Sequence, residues 1–148
     1  MKAADYQLLL EQTQALLTGE TDWVAKTANL SALLYEQLND VNFAGFYRYE
    51  NDELILGPFQ GKVACVHIQM GKGVCGTAAA RRETIVVPNV HEFAGHIACD
   101  SASNSEIVVP IYRHGQLWGV LDIDSPKLSN FDEVDAQHLE QICAEIFK

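Results

Sequence analysis

The chain has 148 residues, 48% apolar and 20% charged, and its 10 basic against 20 acidic side chains leave a formal charge of -10. That length is enough for one domain, spanning 1–148, to bury a core without metal or disulfide staples. The basic residues are scattered, which argues against nucleic acid as a partner. No apolar run approaches the ~18 residues of a membrane span, and the opening MKAADYQ is not a secretory signal. A cytoplasmic protein without membrane partners is expected.

Residues 5–18 place Tyr6, Leu9, Leu10, Thr13, Leu16 and Leu17 near one helical face, with Asp5 as N-cap and Gly19 past the end. A second helix is expected over 22–37, where Trp23, Leu30, Leu34 and Leu38 recur and Thr21 or Asp22 caps. From Val41 the period changes to two, and Val41, Phe43, Gly45, Tyr47 and Tyr49 mark a strand. Asn51-Asp52 turns into a short strand over 53–57, broken by Gly57-Pro58, and a third strand follows over 62–69. After Gly71-Lys72-Gly73 come a short helix over 74–82 and a short strand over 84–87.

The segment 89–105 has no sustained period and reads as a long loop, a length that usually signals function inside a compact domain. Strands over 107–112 and 116–123 are joined by the tight turn Arg113-His114-Gly115. A last helix follows Ser125-Pro126, capped by Asn130 or Ser129, with Val134, Leu139, Ile142, Cys143 and Ile146 facing inward. Two helices, several short strands and a final helix do not form a βαβ repeat. They predict an α+β domain with a central antiparallel sheet, terminal helices on one face and a ligand pocket under loops on the other.

Four cysteines without a CxxC pair suggest free, metal-binding or redox-active thiols. His91, His96 and Cys99 are the nearest zinc-like grouping and lack paired-ligand spacing. Cys143 fits core packing. Cys65 lies in the third strand, Cys75 at the start of the short helix, and Cys99 in the loop among small residues that leave its sulfur accessible. Redox chemistry at Cys99 needs a second thiol, from Cys65 or Cys75.

The period of two puts Trp118, Val120, Asp122 and Asp124 on one strand face, so two carboxylates share a semi-buried surface where like charge raises one pKa. Glu106, entering the preceding strand, can join them. Such a group binds an ammonium and holds a proton for delivery. Phe43, Tyr47 and Tyr49 read first as core. The glycines 71, 73 and 76 match a phosphate loop only in part.

The blocks GPFQGKVAC, GKGVCGTAA, HEFAGHIACDSASNSEIVVPI and GVLDIDSP, in this order, resemble the free methionine-(R)-sulfoxide reductases, enzymes of the GAF fold. The resemblance covers most of the chain from about Asn42. It implies a thiol reductase acting on free methionine (R)-sulfoxide, with Cys99 as nucleophile and its sulfenic acid resolved by Cys65 as an intramolecular disulfide that thioredoxin reduces. Cys75 matches a family cysteine of less defined role. Glu106, Asp122 and Asp124 would bind the amino group and help protonate the leaving oxygen, with Phe43 and Tyr47 as the aromatic wall. No metal or organic cofactor is implied, and a homodimer is expected by resemblance alone. Phe43 departs from the family, which usually has tryptophan there; an aromatic wall is kept, but an indole N–H and some area are lost. Two other readings stay open: a small-molecule sensor domain, as GAF folds often are, and a peroxide-reactive thiol protein using the same cysteines.

Overall fold

A computed structural model describes residues 2–95 and 102–148. Six strands form one antiparallel sheet in the order β3-β2-β1-β6-β5-β4. These are β1 (Phe43–Glu50), β2 (Glu53–Gly61), β3 (His67–Gln69), β4 (Ile85–Val87), β5 (Ser105–Arg113) and β6 (Gln116–Ser125). The helices are α1 (Lys2–Leu17), α2 (Trp23–Gln37), α3 (Gly73–Arg81) and α4 (Glu133–Cys143). The α+β architecture is as expected, and among the described residues no helix is long and apolar enough to cross a membrane.

Helices α1, α2 and α4 cover one face of the sheet. Their Leu9, Leu30, Leu34, Leu139 and Ile142 pack in one cluster with Phe46, Ile107, Val109, Leu121 and Ile123 from the strands. Each such leucine contributes about 1.5–3 kcal/mol by leaving water. The opposite face carries a second cluster, in which Cys75, Ala78 and Ala79 of α3 meet Tyr47, Val108 and Val120. Helices on both sides explain why the first five residues of β1 are all buried rather than alternating.

Several boundaries differ from expectation. Asp5 lies inside α1, which starts at Lys2, so it favours the helix dipole without capping it. Asp22 caps α2 as expected, accepting from the Val24 and Ala25 N–H groups at 2.8 and 3.0 Å. The cap of α4 is Asp132, not Asn130 or Ser129; it forms a capping box with Asp135. Val134 is exposed, and Asp135 and Ala136 take the inward positions.

Gly57-Pro58 does not end β2. Gly45 pairs with Phe59 and Tyr47 with Leu56, so β2 carries one extra residue opposite Phe46. The bulge accommodates a proline that cannot donate to the ladder. The expected third strand shrinks to His67–Gln69, leaving Cys65 in a loop.

Inside the long connection, Asn89 caps a 3-10 turn at Val90–Glu92. The base of the connection is pinned where Val90 N–H donates to the Asn104 carbonyl at 2.9 Å and Gly73 N–H to the Gly95 carbonyl at 3.1 Å.

Candidate active site

The site is built by strand register. Asp124 of β6 pairs with Phe43 of β1 on one side and Glu106 of β5 on the other, and Asp122 pairs with Gly45 and Val108. Residues opposite one another in a ladder project to the same face, so Phe43, Asp124 and Glu106 form one row and Asp122 the next. Helix α3 closes over them and brings Cys75, in its first turn, within 3.9 Å of Glu106, the thiol pointing at Oε2. The pocket is lined by Phe43, Tyr47, Cys75, Glu106, Asp122 and Asp124, with Lys62 and Lys72 exposed at its rim.

Trp118 does not share this face. The β5–β6 pairing shifts register between Ile111 and Tyr112, with Ile111 opposite Gly119 and Tyr112 opposite Leu117. Trp118 is the extra residue, and alternation inverts there. Leu117 therefore packs on the pocket side, while Trp118 joins the helix-side cluster, edge-on to Trp23 at 5.4 Å. The expected grouping of Trp118 with the aspartates is corrected by a bulge that no period-of-two count reveals.

Burial dominates the electrostatics. Glu106 is held well above the ordinary carboxylate range, first by loss of hydration and then by repulsion from Asp122 and Asp124. The same causes push the Cys75 thiol far up, so its place at the start of α3 does not activate it. Tyr47 is likewise kept neutral by burial and the nearby aspartates. Its hydroxyl donates to the Cys65 carbonyl at 3.0 Å.

Phe43 is buried and stacked on Phe59, with ring centroids 5.3 Å apart. Gly45, beside it, leaves room for Phe59; a Cβ there would come 2.3 Å from the Phe59 Cβ.

Cys65 is partly exposed and disulfide-bonded, whereas Cys75 and Cys143 are buried free thiols. Cys143 packs in the helix-side core, as expected. Cys99 and His96 lie outside the described residues. His91 pairs through Nε2 with Asn104 Oδ1 at 2.9 Å, at the base of the connection. Sequence reasoning missed Phe59 and Val63; Phe59 belongs to the bulged part of β2, which the Gly57-Pro58 pair concealed.

A six-stranded antiparallel sheet with a buried acidic and aromatic pocket under one short helix is the arrangement of a GAF domain, and residues 12–146 match the GAF domain family. The chain is 54% identical over 147 residues to the free methionine-R-sulfoxide reductase of Escherichia coli (strain K12), covering 99% of this chain and 89% of that protein. It is 49% identical over 150 residues to the free methionine-R-sulfoxide reductase of Saccharomyces cerevisiae, covering 96% and 83%. The X-ray structure of free methionine-R-sulfoxide reductase from Neisseria meningitidis in complex with its substrate matches with a TM-score of 0.95 at 46% identity, covering 99% of this chain and 88% of that one. Within the GAF domains, this chain belongs to the free methionine-R-sulfoxide reductase family.

Proposed function

We propose that the protein reduces free L-methionine (R)-sulfoxide to L-methionine. The observation that carries this reading is the buried trio Glu106, Asp122 and Asp124, with the Glu106 carboxyl held well above its ordinary range by burial and the two aspartates, in a pocket walled by Phe43 and Tyr47. A sulfoxide oxygen is a poor leaving group, and neutral Glu106 supplies the proton it needs. Asp122 and Asp124 bind the substrate ammonium, which methionine within a peptide lacks. Membership of the reductase family supports the same substrate.

In the cycle we assign, the Cys99 thiolate attacks the sulfoxide sulfur. Oxygen passes to Cys99 as a sulfenic acid and methionine leaves. The Cys65 thiol then displaces water from the sulfenic acid to give a disulfide. Oxidised Cys65 beside free Cys75 and Cys143 supports Cys99 as the redox partner. A dithiol protein of the thioredoxin type takes the disulfide's electrons, approaching at Cys65, where neighbouring Val63 is 87% exposed. No metal or organic cofactor enters the cycle, and the setting is the cytoplasm. In this oxidised form the cavity is about 50 Å3.

The test is consumption of each free methionine sulfoxide diastereomer by purified protein with dithiothreitol. Loss of the R form alone supports the reading, and no loss of it overturns the reading.

A further inference from the structure

Cys75 has no part in the cycle above, yet its surroundings are specific. Among the described residues, donor atoms of Cys75, Glu106 and Asp122 all lie within 4.8 Å of one another, and all three residues are buried. A second observation is hydrogen bonding rather than spacing: Asp122, only 5% exposed, lines the cavity with an Oδ1 that accepts no hydrogen bond. A buried carboxylate oxygen without a donor carries its full desolvation cost until a positive partner reaches it. The residues stand on α3, β5 and β6, so their spacing is held by the fold rather than by a loop.

We propose that Cys75, Glu106 and Asp122 form a binding site for a thiophilic divalent cation of the zinc class, and that the cation competes there with the free amino acid. The donor set selects the metal. A thiolate with two carboxylates suits borderline-soft zinc or cadmium, whereas magnesium and calcium take oxygen alone. Zinc bonds of about 2.3 Å to sulfur and about 2.0 Å to oxygen, at a tetrahedral angle, set those atoms about 3.5 Å apart. The 3.9 Å between Cys75 Sγ and Glu106 Oε2 is within a small side-chain rotation of that value and suits the larger cadmium ion better. The cavity of about 50 Å3 holds such an ion and a water as fourth ligand.

Binding exchanges protons for metal without any redox change. The Cys75 S–H bond breaks, a metal–sulfur bond forms, and the thiol proton and the Glu106 carboxyl proton pass to solvent. Two positive charges then offset three anionic ligands, a better balance than a buried cluster of bare carboxylates. Competition rests on the substrate reading above; metal binding does not.

The first measurement uses untagged oxidised protein, where Cys65 is disulfide-bonded and cannot supply a thiolate. Titration with Cd2+ should produce an ultraviolet thiolate-to-metal charge-transfer band saturating at one ion per chain, with proton release. The band should vanish in Cys75→Ser and persist in Cys143→Ser. Isosteric Asp122→Asn, which keeps the fold if Cys75→Ser does not, should weaken binding about tenfold or more. No band, or a band unchanged in Cys75→Ser and Asp122→Asn, overturns the site.

The second measurement uses reduced, desalted protein. Zn2+ should slow the first turnover with methionine sulfoxide, excess substrate should relieve the inhibition, and Cys75→Ser should weaken it about tenfold or more. A Cys75-dependent band with inhibition that substrate cannot relieve overturns the competition and leaves the metal site standing. Undiminished turnover of the R form by protein that gives no band overturns the metal site and leaves the reductase reading standing.

Discussion

The Tyr47 hydroxyl donates to the carbonyl of Cys65 across 3.0 Å, tying the aromatic wall of the pocket to the loop that holds the oxidised cysteine. One bond thus positions a redox sulfur from inside the binding site. Tyr47→Phe removes it at a cost of about 1 kcal/mol, equivalent to about fivefold in a rate. Disulfide formation should slow by that factor relative to methionine release. Rapid-quench measurement of free thiols against methionine produced gives the ratio.

If the proposed cycle holds, Cys99 and Cys65 should separate cleanly in kinetics. Cys99→Ser is expected to abolish methionine formation. Cys65→Ser should still release one methionine per chain in a burst, then fail to turn over with thioredoxin. Mass spectrometry after trapping with a sulfenic-acid reagent should find the adduct on Cys99 of that variant.

Glu106 links activity to stability through one proton. Burial and the two aspartates raise its folded-state pKa above the ordinary 4.5, so the unfolded chain ionises first as pH rises. Native stability therefore falls as pH climbs from 4.5 toward the raised value. Glu106→Gln cannot ionise and should melt at a higher temperature than the parent at pH 8, with the difference shrinking toward pH 4.5. The same variant cannot deliver the proton, and its kcat/KM should fall about 100-fold or more. Thermal denaturation and initial rates across pH read both effects.

In the proposed reading Asp122 faces the substrate ammonium, and Asp122→Asn keeps the side-chain shape while removing the carboxyl group. The lost ion pair costs about 2–3 kcal/mol, or about 30- to 150-fold in KM. Calorimetric titration with methionine should show the same loss in affinity.

The redox state should govern access. In the oxidised protein the pocket is a narrow cavity of about 50 Å3 beside the loop that holds Cys65. Reduced protein should bind methionine at least about tenfold more tightly than oxidised protein, by the same titration.

Where residues followed simple periodicity, sequence reading placed them well. Leu30 and Leu34, Asp22 as a cap, and the shared face of Asp122 and Asp124 are all found as expected. Local sequence failed where tertiary pairing decided. Pro58 reads as a breaker, but pairing with β1 absorbs it as a bulge. Cys75 stands at a helix start, where the dipole favours a thiolate, but burial and three neighbouring carboxyl groups outweigh it. The convergence of Phe43, Asp124 and Glu106 depends on register among three strands, which spacing along one strand does not encode. The resemblance supplied that grouping.

The bulge at Trp118 makes β6 a length-sensitive part. From Gly119 to Asp124 every residue takes its face by counting from that extra position. Removing one residue between Trp118 and Asp122 would turn both aspartates through the sheet into the hydrocarbon layer beneath α1 and α4 and bring Leu121 and Ile123 into the pocket. A conservative exchange at one position leaves the other faces as they are, whereas a change in residue count does not. Across descendants of this sequence, insertions and deletions should be confined to the Arg113–Gly115 turn, where a change in length leaves the reading frame of the sheet intact.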